Sequence, residues 1–409
     1  MVAKPKKENP MTHQNDYSLS PTLVEEITRH GFDAVPEMLR VLLNSLMQAE
    51  RAKYLQAGAY ERTEERQGHA NGYKPKTVST RMGEITFAIP QVREGGFYPS
   101  ALEKGLRSER ALVTTLAEMY VQGVSTRKVK AVTEELCGHA FSASTISQIN
   151  KGLDAALARF AHRPLEEAYP YLILDARYEK VRLDGVIRSQ AVLIAIGINW
   201  EGRRQVLAVE LANRESATSW KDFVRRLKER GLTGVEFVVS DDHEGLKKAV
   251  SELLPQAAWQ RCYVHFLRNA LDYLPRRADD DCLQELRWIY DRRNLKEAQA
   301  DLVAWLQRWQ ARYPRLTDWA EQAIGETLTF YMLPRQHHKH LKSTNLLERL
   351  NEQIKRRTRV VRIFPNPASC LRLVRALCAE THEAWLEDNR YINMELLKEQ
   401  KKAAMKLAA

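Results

Sequence analysis

The sequence predicts an α/β protein: a mixed-sheet domain with an all-helical insertion, behind a mostly helical N-terminal region. Three observations predict it. Residues 170–262 alternate apolar, strand-like runs with amphipathic helices. Residues 266–335 are rich in Leu and Trp at helical spacing and carry no strand signal. Residues 108–160 read as helices throughout. The 409 residues suffice for two or three domains, and 44% hydrophobic content excludes a wholly disordered chain. No apolar window approaches the roughly 18 residues a membrane span needs. The first twenty residues have no apolar stretch, so no secretory signal is expected. Five scattered cysteines do not suggest a disulfide framework. A cytoplasmic protein without a membrane partner is expected.

From the N-terminus, residues 1–20 read as a disordered polar tail. Leu39, Leu42, Leu43, Leu46 and Met47 recur at three- and four-residue steps, which predicts a helix within 21–58. Residues 60–76 read as a turn-rich loop with Asn71-Gly72 and Pro75 as breakers, and Glu94-Gly95-Gly96 opens another loop. Residues 77–93 between them read as two short strands around Met82-Gly83. Ser125 is placed to cap a helix over Thr126–Leu136, with Gly138 past its end. Ser144 is placed to cap a second helix, Thr145–Leu157. The pair fits a helix-turn-helix, or an ordinary helical hairpin. The second helix would turn Ser147, Gln148, Asn150 and Lys151 toward a groove, and Arg127 and Lys128 of the first are further candidate DNA contacts.

Strand signals follow at Tyr171–Leu183, Ser189–Ile198 and Gln205–Leu211, with Asp184-Gly185 as a hairpin turn. A helix from Ser216 or Thr218 to Glu229 comes next, closed by Gly231. Then come a strand over Val235–Ser240, a helix over Glu244–Leu254 and a strand over Ala257–Cys262. An antiparallel triplet extended by parallel strands, with helices on the faces, matches a ribonuclease H-like core. The expected organisation is a 21–107 helical and β region, a 108–165 helix-turn-helix domain, and a core split into 166–265 and 336–390 around a 266–335 insertion. Residues 391–409 read as a C-terminal tail.

Three carboxylates stand out. Asp175 lies in an apolar strand, YLILDARY, where a buried acid needs a partner charge or a metal. Asp241 ends a strand, as a helix cap or as an acid at the edge where α/β sheets bind ligands. Glu348 lies on a polar helix and alone would read as a solvated charge. Together they suit hard divalent cations, which favour oxygen ligands. Two ions roughly 4 Å apart would serve phosphoryl transfer. The gap of 107 residues between Asp241 and Glu348 is filled by the helical insertion. The formal charge of +11 concentrates around Glu348. Residues 341–378 hold nine bases against two acids, a local balance of +7, suited to DNA phosphates.

The motifs MYVQGVSTRKV (119–129), LILDARYEKVR (172–182), AVLIAIGIN (191–199), ESATSWKDFVRRLKERGL (215–232), VVSDDHEGL (238–246), RCYVHFLRN (261–269) and STNLLERLNEQIKRRTRVVRIFPN (343–366) stand in order along the chain. In these the sequence resembles bacterial Mutator-type insertion-sequence transposases, a DDE family, from about residue 35 to 390. The resemblance implies that Asp175, Asp241 and Glu348 form a catalytic triad holding two Mg²⁺ or Mn²⁺ ions. It implies DNA partners, terminal inverted repeats and target, and a nucleoid-associated homodimer. The family usually has Gly after the second acid, where this chain has Asp242. Cys262 and His265 form a Cys-x-x-His pair the family also carries, expected to contact DNA or orient catalytic groups. Arg349, Lys355, Arg356, Arg357 and Arg359 would grip phosphates. The expected function is strand cleavage and strand transfer. The alternatives are a structure-specific nuclease without strand transfer and an inactive DNA-binding regulator.

Overall fold

The computed structural model describes residues 25, 28–58, 61–93, 96–105, 107–122, 124, 126–137, 141–275 and 281–408. The 1–20 tail, Glu94 and Gly95, the Ser125 cap and Gly138 lie outside the described residues, as does the side chain of Arg127. The chain forms two compact units, residues 1–117 with 126–146, and residues 118–125 with 147–409.

In the first unit, helix α1 (Val35–Leu55) packs on a hairpin of β1 (Ala70–Thr80) and β2 (Gly83–Val92). Met47 is buried with Val78, Ile85, Phe87, Ile89 and Leu102, and Leu39 and Leu43 border them. The apolar stripe is narrower than its sequence spacing suggests: Leu42 and Leu46 are 53% and 49% exposed. β1 begins within the stretch expected to be a loop. Pro75 pairs with Ala88, and a register shift between Ala70 and Tyr73 absorbs Asn71 and Gly72. A two-stranded sheet has only edges, where proline is tolerated.

Helices α2 (Arg110–Val121) and α3 (Thr126–Cys137) follow. The second expected helix is two, α4 (Ala143–Lys151) and α5 (Asp154–His162), parted at Gly152. The cap of α4 is Ser142, whose Oγ accepts from the Thr145 N–H at 3.1 Å; Ser144 lies inside the helix.

The second unit is built on a five-stranded mixed sheet, in the order β5-β4-β3-β6-β7. β3 (Tyr171–Leu183), β4 (Val186–Ile198) and β5 (Arg204–Ala212) are antiparallel; β6 (Phe237–Ser240) and β7 (Ala258–Arg261) continue parallel to β3. Asp184 and Gly185 both take positive φ, as the two-residue hairpin turn requires. Side chains alternate between faces. Leu172 and Leu174 join Trp220 and Phe223 of α6 (Ala217–Glu229) and Leu246 of α7 (Glu244–Leu253). Tyr171 and Ile173 face the other way, into a core shared with the later helices.

Among the described residues no strand follows β7. Helices α8 (Tyr263–Ala270), α9 (Cys282–Trp288), α10 (Leu295–Trp309), α11 (Pro314–Ala323) and α12 (Arg335–Leu341) lead to α13 (Asn345–Val361) and α14 (Pro367–Glu387). The tryptophans here mainly pack. Trp305 and Trp309 are buried, and Trp319 stacks on Phe266 at 4.5 Å between centroids. Where a tail was expected, α15 (Glu395–Ala408) forms, and Ile392, Met394 and Leu397 enter the core. No helix among the described residues is long and apolar enough to cross a membrane.

Candidate active site

Asp175 sits on the central strand just beyond its last pairing with β6, on the face shared with Tyr171 and Ile173. It is 7% exposed. Its Oδ1 accepts from the Ala176 N–H at 2.9 Å, and its Oδ2 accepts from Asn351 Nδ2 at 2.8 Å. Burial and the Asp241 charge push its pKa up to about 7, against the pull of His265.

Asp241 directly follows β6. It does not cap α7: His243 does, its Nδ1 accepting from the Leu246 N–H at 3.3 Å. Asp241 is half-buried, and its Oδ1 is shut from solvent with no hydrogen-bond partner among the described residues. Burial raises its pKa, opposed by His265 and His243. Asp242 differs, being exposed and paired with the buried Arg261 at 2.8 Å. The two neighbouring acids thus have separate environments.

Glu348 lies in the first turn of α13, 3.6 Å from His265 Nε2 and 3.6 Å from an Arg268 guanidinium nitrogen. Asn351, three residues on, shares its helix face and makes the bond to Asp175. α13 is tied down elsewhere too. The Thr344 N–H and hydroxyl donate to Cys262 Sγ at 3.3 and 3.4 Å. Beyond its end, Phe364 bridges to Val181 of β3.

His265 links the acids. Interaction with the Cys262 sulfur lifts its pKa to about 9 against burial, and Asp175 and Asp241 add to the lift. Burial raises the Cys262 thiol, but His265 and Thr344 outweigh it and leave the pKa below its ordinary value. His265 therefore carries its proton at neutral pH, and that cation offsets repulsion among the carboxylates. Cys262 is 0% exposed, which corrects the expectation that it contacts DNA; its sulfur fixes α13 instead.

Sequence reasoning missed two residues. Asn351 is one. Glu215, which precedes the Ser216 cap of α6, is the other: its Oε1 accepts from Trp220 Nε1 at 3.0 Å and lies 3.7 Å from His243 Nδ1. Burial and Asp241 raise its pKa. A Cβ on Gly245 would lie 2.5 Å from the Ala217 nitrogen, so only glycine lets α6 and α7 start this close and bring Glu215 to Asp241. The available signal was an acid immediately before a capping serine.

The donor set suits a hard divalent cation: a buried and a half-buried carboxylate, both with pKa raised by burial, one with an oxygen that has no partner among the described residues. Among the described residues no three His, Cys, Asp or Glu side chains stand in ion-holding geometry. Asp175 and Asp241 sense each other directly, whereas Glu348 is joined to them through His265.

The transposase Mutator family matches residues 11–388. The chain belongs to that family. The transposase for insertion sequence element ISRM5 of Rhizobium meliloti is 64% identical over 386 residues, covering 94% of this chain and 97% of the relative. The transposase for insertion sequence element IS256 of Staphylococcus aureus is 37% identical over 367 residues, covering 89% and 94%. The Drosophila P element transposase strand transfer complex aligns with a TM-score of 0.28 and 12% identity over 69% of this chain and 81% of that one. The protein is thus a DNA transposase.

Not all of this transposase's basic segment is available to DNA. Arg372 is bound in two-pronged fashion to Asp154 at 2.6 and 2.8 Å. Arg375 donates to the Val209 carbonyl and Lys342 pairs with Asp291. Arg357 is half-buried and donates to Gln122 Oε1 at 3.0 Å, so it supports the fold before it can hold a phosphate. Arg349, Lys355, Arg356 and Arg359 are exposed and have no ion-pair partner among the described residues. Lys128, Ser147, Gln148 and Lys151 are exposed, but Asn150 is 2% exposed and cannot reach a groove.

Proposed function

We propose that this transposase cuts DNA at insertion-sequence ends and joins the freed 3′-OH to target DNA, through a ribonuclease H-like DDE site. Asp175, Asp241 and Glu348 would hold two Mg²⁺ or Mn²⁺ ions. The observation that carries the reading is the pair of aspartates, one buried and one half-buried, just beyond the mutual pairing of β3 and β6. One has its pKa raised to about 7 and the other has an unsatisfied oxygen. The strand order β5-β4-β3-β6-β7 supports the fold assignment. Bound divalent cations supply Lewis acidity, lowering the pKa of an attacking water and stabilising the leaving oxygen. The protein's own groups do the rest. Asn351 orients the Asp175 carboxylate, and cationic His265 balances charge beside Glu348. Arg349, Lys355, Arg356 and Arg359 neutralise phosphates. Both steps are displacements at phosphorus: water first, then the 3′-OH. The helix-turn-helix and N-terminal segment read the terminal repeats, and two copies pair the two ends.

The test uses purified protein, labelled duplex carrying the flanking inverted repeat, and Mg²⁺ or Mn²⁺. Wild type is expected to nick the end and, with target DNA, yield a joined product. Asp175→Ala, Asp241→Ala and Glu348→Ala should each abolish both. Retained cleavage removes that residue from the triad; cleavage without joined product makes the protein a nuclease only.

A further inference from the structure

Within the first unit, a cleft of about 1310 Å³ opens between α1, the connection after it and the start of β1. Arg51, Arg62, Arg66, His69 and Arg93 line it together with Tyr73, and among the described residues its lining includes no aspartate or glutamate. Small-molecule pockets run to roughly 300–1,000 Å³ and are mostly apolar. This one is larger and basic, which suits an extended polyanion.

The cleft is built, and none of its four arginines has an ion-pair partner among the described residues. Arg51 donates to the Gly72 carbonyl at 3.2 Å and to the Tyr73 hydroxyl at 3.0 Å, with its guanidinium 4.8 Å over the Tyr73 ring. Arg66 donates to the carbonyls of Gly68 and Glu61 at 2.9 and 2.6 Å. These acceptors are neutral, so they fix the arginines without cancelling their charge. The nearby Glu61 carboxylate is turned to the Gly58 N–H at 2.7 Å. The Gln67 N–H donates to the Leu55 carbonyl, and the Arg93 N–H to the His69 carbonyl, so the connection is stitched to helix and hairpin. Gly68 and Gly72 take φ of +126° and +70°, a backbone shape that side chains disfavour. Arg62 and Arg93 are exposed and have no ion-pair partner among the described residues.

We propose that this cleft binds the sugar-phosphate backbone of duplex DNA, independently of sequence and apart from the catalytic carboxylates. The proposal rests on the reading that the N-terminal region engages DNA, and adds which residues hold it and by what chemistry.

The experiment measures affinity against salt for the full chain, on the flanking-repeat duplex and an unrelated duplex. Each phosphate contact contributes about 0.9 to the slope of log affinity on log salt. The double variant Arg62→Ala/Arg93→Ala should therefore flatten the slope by about 1.8 and weaken both duplexes by a similar factor, roughly tenfold. Arg62→Lys/Arg93→Lys should keep most of the slope. An unchanged slope in the alanine variant overturns the proposal, as does a loss confined to the repeat, equal loss in the lysine variant, or a wild type that binds neither duplex. Wild type that binds with the expected slope but never cuts would sink the proposed chemistry and leave the cleft standing.

Discussion

Asp175→Asn should stabilise the metal-free protein at neutral pH while abolishing cleavage. The carboxyl is held at a pKa of about 7 by burial and Asp241, against an ordinary value of 3.8. The folded state therefore holds this proton more tightly than the unfolded chain does. Below about pH 4 both states are protonated and nothing is lost. As pH rises from about 4 to about 7 the unfolded chain ionises first, so stability falls, and the full cost stands above pH 7. About three pKa units at 1.36 kcal/mol each set a ceiling of about 4 kcal/mol. The amide trades one acceptor for a donor, giving back about 1 kcal/mol at the Ala176 or Asn351 bond. A net gain of about 2–3 kcal/mol corresponds to roughly 4–12 °C in the melting of a unit this size. The assay is thermal melting in chelator from pH 4 to pH 8, then with Mg²⁺ or Mn²⁺. The variant should melt higher at pH 8 but not at pH 4, and the cation should raise wild type only. A variant no more stable than wild type at pH 8, or a gain of equal size at both pH values, would refute the argument.

Asn351→Ala removes the donor that orients Asp175; single-turnover cleavage should fall by roughly tenfold or more with DNA affinity intact, and wild-type rates would deny the positioning role. In Cys262→Ala, the His265 pKa should fall from about 9 toward 6.5, read by NMR titration without metal; an unmoved titration would mean the sulfur does not hold the proton there. Asp242→Asn should cut DNA like wild type but lose about 1–3 kcal/mol by chemical denaturation, because the buried Arg261 loses its counter-charge. Loss of cleavage would instead bring Asp242 into the metal set.

Where residues dictate structure locally, the sequence was readable. Tyr171–Leu183 and its Asp184-Gly185 turn fall where a continuous apolar run and a hairpin dipeptide put them. The first half of β1 misled because Asn, Gly and Pro penalise an interior strand, while a two-stranded ribbon has none. Asp175 stood out because an acid inside an apolar run is costly to bury. Glu215 and Asn351 did not, since one looks like an ordinary residue before a cap and the other like part of a polar helix face. Their importance comes from contacts between distant segments, such as Asn351 with Asp175, and no local pattern encodes those. Counting bases likewise overstated the phosphate grip. Composition cannot distinguish Arg372, spent on Asp154, from the exposed Arg356.

The position of α13 after the long helical stretch sets the order in which a growing chain gains its parts. A product ending before Asn345 already contains the whole first unit, the sheet and both aspartates, but neither Glu348 nor the Phe364 bridge to β3. Under the proposed chemistry such a fragment would occupy DNA without cutting it. Prematurely ended copies of the gene would then act as brakes on intact ones. Co-expression of residues 1–344 with the full chain should lower transposition frequency, and an unchanged frequency would dismiss the idea.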